Sequence, residues 1–306
     1  MFVINPDPYS LPTYRIGPFQ TSDVSTNNRF ANNNYIDSYF QQRFKNKHFA
    51  YFINGRNAIA KALEYYQLSR EDTVTILTSS GNFYISGCVT KEIEKICKWS
   101  REIVETTKII FVNHEFGVPY EKLTELTKYN VPIIEDCAHS FYSKDEKASI
   151  GTVGDFVIYS FPKMFPIQIG GLLVSNLKTP IGKSAYVNDE TLIYIKNVLS
   201  HYIKQKDLII ERRIKVYKKL RKELESLGFT ERFELKEGVV PGVFMFKVNN
   251  DEIKLDALKS YVQAHGIQCS VFYGERAFFI PVHQNLSEDN LTYFKVIIES
   301  FLKKVI

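Results

Sequence analysis

The chain has 306 residues, enough for one large domain or a large and a small one around a substantial core. Its 44% hydrophobic and 24% charged residues are those of a folded globular protein and exclude a disordered chain. A net charge of +5 is mild and scattered, which argues against nucleic-acid binding, and no apolar run approaches the roughly 20 residues that span a bilayer.

The N-terminus, MFVINPDPYSLP, lacks the basic start and apolar stretch of a signal peptide, so a cytoplasmic location is expected. Its continuation to about residue 45 is rich in Asn, Pro, Ser and Tyr without a sustained period and reads as irregular, with one short helix near 36–44. Beyond it, segments rich in β-branched residues, TVTILT, TKIIFV, VPIIED, DFVIYS and GLLVS, alternate with helix-like stretches such as NAIAKALEYYQL and PYEKLTELTKY. That alternation predicts an α/β domain with a mostly parallel sheet covered on both faces.

Residues 189–227 read as one long helix or two joined by a small bend. Its basic stretch, IERRIKVYKKLRKELE, carries Ile210, Ile214, Tyr217, Leu220 and Leu224 at spacings of three and four, which assigns the charges to a solvated face. A strand (GVFMFKV), a helix closed by Gly266, a second strand (IQCSVFY) and a final helix capped by Ser287 follow, the pattern of a smaller α+β domain. The expected division is 1–190 for the N-terminal segment and large domain and 191–306 for the long helix and small domain. Cys88, Cys97, Cys137 and Cys269 form no CxxC pair, which argues for reduced thiols and against a structural zinc site.

Ligands in open α/β sheets bind at the carboxyl ends of the strands, and three such ends carry chemistry. In FINGRNAIAKALEYY a strand runs directly into a helix, leaving backbone N–H groups of Gly55, Arg56 and Asn57 at the positive helix end. The turn reads either as a phosphate site or as a plain turn capped by Asn54. In VPIIEDCAHS a buried strand ends in Glu135 and Asp136, with His139 beyond. A carboxylate there meets a cation or donor, or caps the next turn, and His139 is equally readable as a loop histidine without a task. In YSFPKMFPIQIGG, Lys163 lies between Pro162 and Pro166, ahead of Gly170 and Gly171. It reads either as a lysine that snorkels to water or as an amine in a partly dry site, where lost solvation lowers its pKa and makes it a nucleophile able to form an imine.

The order NGxxA at a helix start, H-x-x-G-x-P, I-E-D-C-A-H, then G-D-F…S-F…K with a Gly-Gly pair resembles the DegT/StrS-type aminotransferases that act on nucleotide-linked keto sugars. The closing FFIPVHQNLSEDNL is similar to the end of the same family, so the likeness runs from Asn54 to the C-terminus. The resemblance implies the aspartate aminotransferase type fold: a three-layer, mostly parallel large domain with a smaller α+β domain, acting as a homodimer with pyridoxal 5′-phosphate. By the same resemblance Lys163 would hold the cofactor as a Schiff base and move the proton, and Asp136 would keep the pyridine nitrogen protonated. His139 would lie beside the ring, while Gly55, Arg56 and Asn57, with the Ser160 hydroxyl, would cradle the phosphate. Phe83, or its neighbour Tyr84, would stack on the ring. Glutamate would donate the amino group to a nucleotide-linked keto sugar for surface polysaccharide synthesis.

The chain also departs from the family pattern. Only YISGCVTKEIEKICKWSRE stands where an extra strand and helix are usual, Ser160 and Lys163 are two residues closer than in S-F-x-x-x-K, and a G-Y-N-Y-R-like loop is absent after GGLLVSN, with Asn188 as a possible remnant. Two further readings stay open: a cofactor enzyme of this fold with another substrate or outcome, and a non-catalytic member. Sugar dehydratases of this fold carry histidine in place of the lysine, so Lys163 favours transamination. Against the non-catalytic reading, an unpaired buried Lys or Asp costs several kcal/mol without a ligand.

Overall fold

A computed structural model of the chain describes residues 12–45, 47–178, 181 and 187–305. The N-terminal segment forms two short helices, α1 (Ser22–Asn27) and α2 (Tyr35–Phe44), which lie against the helix at Asp189–Tyr202. Ile36, Phe40 and Phe44 are buried from α2, the four-residue spacing of one helix face.

Strand β1 (His48–Phe52) leads into α3 (Gly55–Glu64), whose cap Asn54 accepts the amide of Asn57 at 3.0 Å. Strands β2 (Thr73–Thr78), β4 (Thr107–Asn113), β5 (Ile133–Asp136) and β6 (Phe156–Ser160) run parallel in the middle of a seven-stranded sheet, and β7 (Gly171–Ser175) and β1 close one side antiparallel. The predicted α/β class is observed. The Val, Ile and Phe runs of these strands are buried on both faces, which explains why they read as continuous apolar segments.

The stretch between β2 and β4 is less reduced than its sequence suggests. It holds helix α4 (Gly87–Glu94) and the short strand β3 (Lys98–Ser100), which pairs parallel to β2 at the sheet edge. Conversely, PYEKLTELTKY forms no α-helix. Leu123–Tyr129 is a 3-10 segment in which only Leu123 and Leu126 are buried, a spacing of three, and Thr127 turns its hydroxyl back to the Thr124 carbonyl at 2.9 Å.

Residues 189–227 contain two helices, α5 (Asp189–Tyr202) and α6 (Lys206–Glu225), joined by a 3-10 turn at Ile203–Gln205. Ile195, Val198, Leu199 and Ile209 pack into the core of the large sheet's helical layer, whereas Val216, Tyr217, Leu220 and Leu224 join a second core. The chain therefore changes cores within α6. That second core is built on a four-stranded sheet of β8 (Thr230–Glu231), β9 (Val243–Lys247), β10 (Ser270–Phe272) and β11 (Ala277–Pro281), with α7 (Leu255–Ala264) and α8 (Glu288–Val305). Charges on α6 are not all solvated: Arg213 is completely buried.

One buried carboxylate ties the large sheet together. Glu135, at the end of β5, accepts the amides of Gly151 at 2.6 Å, Val153 at 3.0 Å and Gly154 at 2.7 Å, and lies 3.1 Å from His114 Nε2. His114 Nδ1 accepts the Tyr120 amide at 3.0 Å, so Nε2 carries the hydrogen that Glu135 receives. This packed histidine explains NHEFGVP without a catalytic task. The Cys137 thiol completes a buried His114, Glu135, Cys137 group within 4.8 Å, but the carboxylate oxygens are already occupied by donors.

Replacing Glu135 by alanine strands two buried amides and one part-buried amide and should cost about 3–5 kcal/mol. Urea unfolding checks this; a loss below about 1 kcal/mol would mean that water takes over the acceptor role.

Candidate active site

A cavity of about 430 Å³ opens at the carboxyl ends of β4, β5 and β6, lined there by Asn113, Asp136 and Ser160. Phe279 from β11, Gln268 from the connection before β10 and Ile16 from the N-terminal segment line it from other sides. It contains the three sequence-predicted ends together: Gly55 and Arg56, Asp136 and His139, Ser160 and Lys163.

The first wall is the N-terminus of α3. The Asn57 amide is engaged by the Asn54 cap and Asn57 does not line the cavity, whereas the Gly55 and Arg56 amides have no acceptor among the described residues. The turn can sit this close to the sheet because residue 171 is glycine: a Cβ there would lie 2.6 Å from the Asn54 carbonyl carbon and 2.9 Å from the Gly55 nitrogen. The Ser160 hydroxyl lies 3.7 Å from the Cβ position of Gly55 and has no hydrogen bond among the described residues. Two bare amides at a helix N-terminus and a free hydroxyl make an anion cradle.

Asp136 is 6% exposed; one oxygen accepts the Ala138 amide at 2.9 Å and the other has no partner among the described residues. Burial raises its pKa, opposed by the Ala138 amide, His114 and Lys163. Both readings of the sequence hold here, since one oxygen caps the turn and the other is left for a donor.

Lys163 ends a 3-10 turn, Phe161–Lys163, that follows β6 directly. Its side chain does not snorkel to water: it is half-buried, lines the cavity and makes no ion pair among the described residues. Loss of solvation lowers its pKa, opposed by Cys88 and Asp136. His139 is neutral, its pKa held well below the ordinary value by burial and then by Lys163 and Arg213, and its ring lies 5.5 Å from that of Phe116.

Of the two aromatic candidates, Phe83 is 71% exposed and outside the lining, while Tyr84 lines the cavity and packs edge-on against Phe272 at 5.7 Å. Glu115 is a cavity residue not singled out from the sequence. It is 6% exposed, accepts the Ser80 amide at 2.7 Å and has its pKa raised by burial. The one signal was a charge inside the apolar setting of HEFG. Cys88, at the start of α4, also lines the cavity.

Glu275 and Arg276, in the YGERA turn before β11, are engaged away from the cavity: Glu275 pairs with Arg232 at 2.5 and 3.2 Å, and Arg276 donates to the carbonyls of Val248, Asn250 and Ile253. Asn188 caps α5 by accepting the Thr191 amide at 2.8 Å. Most of the loop before it, at 179–180 and 182–186, lies outside the described residues.

Residues 94–179, which carry β4 to β7 and with them Asp136, His139, Ser160 and Lys163, match the sequence profile of the DegT/DnrJ/EryC1/StrS aminotransferase family. Over that segment the chain is similar to this family. GDP-perosamine synthase of Escherichia coli O157:H7 is 29% identical over 167 residues, 48% of this chain and 46% of the relative. A UDP-4-amino-4,6-dideoxy-N-acetyl-beta-L-altrosamine transaminase of Campylobacter jejuni subsp. jejuni serotype O:23/36 (strain 81-176) is 36% identical over 75 residues, 22% of this chain and 20% of the relative. The matched stretches thus cover less than half of each relative's own length.

The fold likeness extends further than the sequence likeness. The aminotransferase TlmJ from Streptoalloteichus hindustanus superposes with a TM-score of 0.73 at 14% identity over 92% of this chain and 94% of its own. The PLP-form of the putative sugar aminotransferase Spr1654 from Streptococcus pneumoniae does so at 0.72 and 14% identity over 98% and 99%.

Two histidines, the half-buried His139 of the cavity lining and the buried His283, set a pH dependence. His283 is pushed from 6.5 down to about 3 by burial and by Arg213, and His139 is also lowered. The unfolded chain therefore takes up protons first, and the stability contributed by these neutral rings is present above pH 6.5 and lost as pH falls toward 3. Denaturant unfolding from pH 7 to pH 4 should fall more steeply for the native chain than for His283→Gln; equal slopes would place the acid sensitivity elsewhere.

Proposed function

We propose that this protein is a pyridoxal 5′-phosphate-dependent aminotransferase that transfers an amino group from glutamate to the keto group of a nucleotide-linked sugar. The observation that carries the reading is the convergence of three unsatisfied groups on one cavity: the Lys163 amine, the free oxygen of Asp136 and the bare helix N-terminus at Gly55 and Arg56. The donor set fits the cofactor group by group, with an amine for the aldehyde, a carboxylate for the ring nitrogen and amides with a hydroxyl for the phosphate. The relatives, a GDP-perosamine synthase and a UDP-aminosugar transaminase, support the substrate class.

When bound, pyridoxal phosphate supplies an electron sink for charge on the carbon that loses its proton. The free oxygen of Asp136 would face the ring nitrogen and, ionised beside that cation, would keep it protonated. Lys163, its charge disfavoured by burial, is the amine that would hold the cofactor's aldehyde and would serve as the proton carrier beside it. Neutral His139 contributes a flat ring without adding positive charge beside Lys163. Tyr84, the aromatic inside the lining, takes the stacking role in preference to Phe83. We further assign a cytoplasmic homodimer for surface polysaccharide synthesis; no helix among the described residues is long and apolar enough to cross a membrane.

Added pyridoxal phosphate should produce a visible absorption band, and borohydride reduction followed by peptide mapping should place the label on Lys163. Label spread over surface lysines would sink the assignment. Lys163→Ala should lower amino transfer from glutamate by about 10²–10⁴-fold or more. Gly171→Ala, which forces the 54–55 turn outward, should weaken cofactor binding about tenfold, read by titration of the same band.

A further inference from the structure

Arg213 is the one charge of the basic α6 stretch that the fold buries completely, and no carboxylate meets it among the described residues. All its bonds go to neutral acceptors: Nε donates to Gln284 Oε1 at 2.9 Å, Nη1 to the Pro241 carbonyl at 3.2 Å, and Nη2 to the carbonyls of Lys163 at 2.8 Å and Met164 at 3.4 Å. Gln284 itself donates to the Met164 carbonyl at 2.9 Å. Burying a guanidinium this way is costly, and an apolar side chain of similar size would fill the same space at less cost. The fork geometry is what such a side chain cannot supply: one planar group reaches the lysine turn on one side and the smaller unit on the other.

We propose that Arg213 is a positioning residue for Lys163, its guanidinium acting with the Gln284 amide as a clamp on the lysine's own carbonyl and the next one. The inference rests on the role given to Lys163 above. Inside the turn, the Met164 and Phe165 amides both return to the Phe161 carbonyl, which shapes the loop but does not fix it to its surroundings. The Asn27 amide holds the far end at the Pro166 carbonyl. The carbonyls of residues 163 and 164 are held by Arg213 and Gln284, so the direction of the amine follows from a helix and a turn that are 50 and 120 residues away in sequence. Arg213 also lowers the pKa of His139 and of His283, so the clamp stands among neutral rings.

The test compares native protein, Arg213→Lys and Gln284→Met. Arg213→Lys keeps the charge and loses the fork; Gln284→Met removes one arm and leaves the guanidinium. Thermal unfolding establishes that each variant is folded. With pyridoxal phosphate and cyanoborohydride, the rate of label incorporation at Lys163 should fall about tenfold or more in Arg213→Lys and by a smaller factor in Gln284→Met. The pH midpoint of the visible band should move in both, which loss of general core support would not produce. Folded variants that label Lys163 within about twofold of the native rate, with the same midpoint, would overturn the inference while leaving the aminotransferase reading intact. If Arg213→Lys does not fold, Gln284→Met decides. Absence of label on Lys163 in the native protein would overturn the reading and the inference together.

Discussion

The large sheet depends on what Glu135 does at the end of β5. Adjacent strand residues point to opposite faces, so Glu135 and Asp136 serve different ends from neighbouring positions. Glu135 turns into the protein and gathers the amides of Gly151, Val153 and Gly154, which fixes how the chain enters β6. Asp136 turns to the cavity. Because β5 and β6 pair in parallel with Asp136 opposite Ile158, the grip on the entry to β6 also sets where Ser160 and Lys163 emerge relative to Asp136. A buried carboxylate with four donors is thus the register pin of the site, and the close approach at Gly154, where a Cβ would lie 3.0 Å from Glu135 Cγ, leaves no room for another arrangement.

On the cavity side the pattern is reversed. Polar groups in the core are paired, but at the strand ends an amine, a carboxylate oxygen, a hydroxyl and two helix amides are left without partners among the described residues. Such groups are costly to keep dry and bare, which is why their convergence carries weight as chemistry where each alone would be ordinary. Their mutual influence is consistent: burial raises Asp136 and lowers Lys163, and each opposes the shift of the other. The second half of the chain reaches the site here, with Gln268 and Phe279 at the cavity and Gln284, three residues past β11, at the lysine turn.

The legible parts of the sequence were those in which one local rule governs. Strands β2, β4, β5, β6 and β7 stand out because burial on both faces demands continuous apolar runs, and α7 and α8 because Gly266, in the left-handed region at φ +79°, and Ser287 mark their ends. The 119–129 segment misled because two leucines three apart suit a 3-10 turn as well as a helix, and the side-chain bond of Thr127 tips it. The stretch after β2 looked too short for a helix and a strand, yet a three-residue edge strand needs only one parallel neighbour. Arg213 stands at the spacing of the buried face of α6, four residues before Tyr217 and seven before Leu220, but a charge among solvated charges reads as surface until its partners across the fold are known.

What the sequence by itself determined was the class of fold and the chemical inventory of the site, since strand periodicity, the Asn54 cap, the Lys163 turn between Pro162 and Pro166 and the order of motifs are all local. Only the tertiary structure decided that these pieces share one cavity, that Tyr84 and not Phe83 faces it, that Asn57 is engaged by its own cap, and that an arginine from α6 holds the lysine turn. Those outcomes follow from long-range packing and desolvation, which depend on what each side chain meets across the fold and leave no trace in the spacing of residues along the chain.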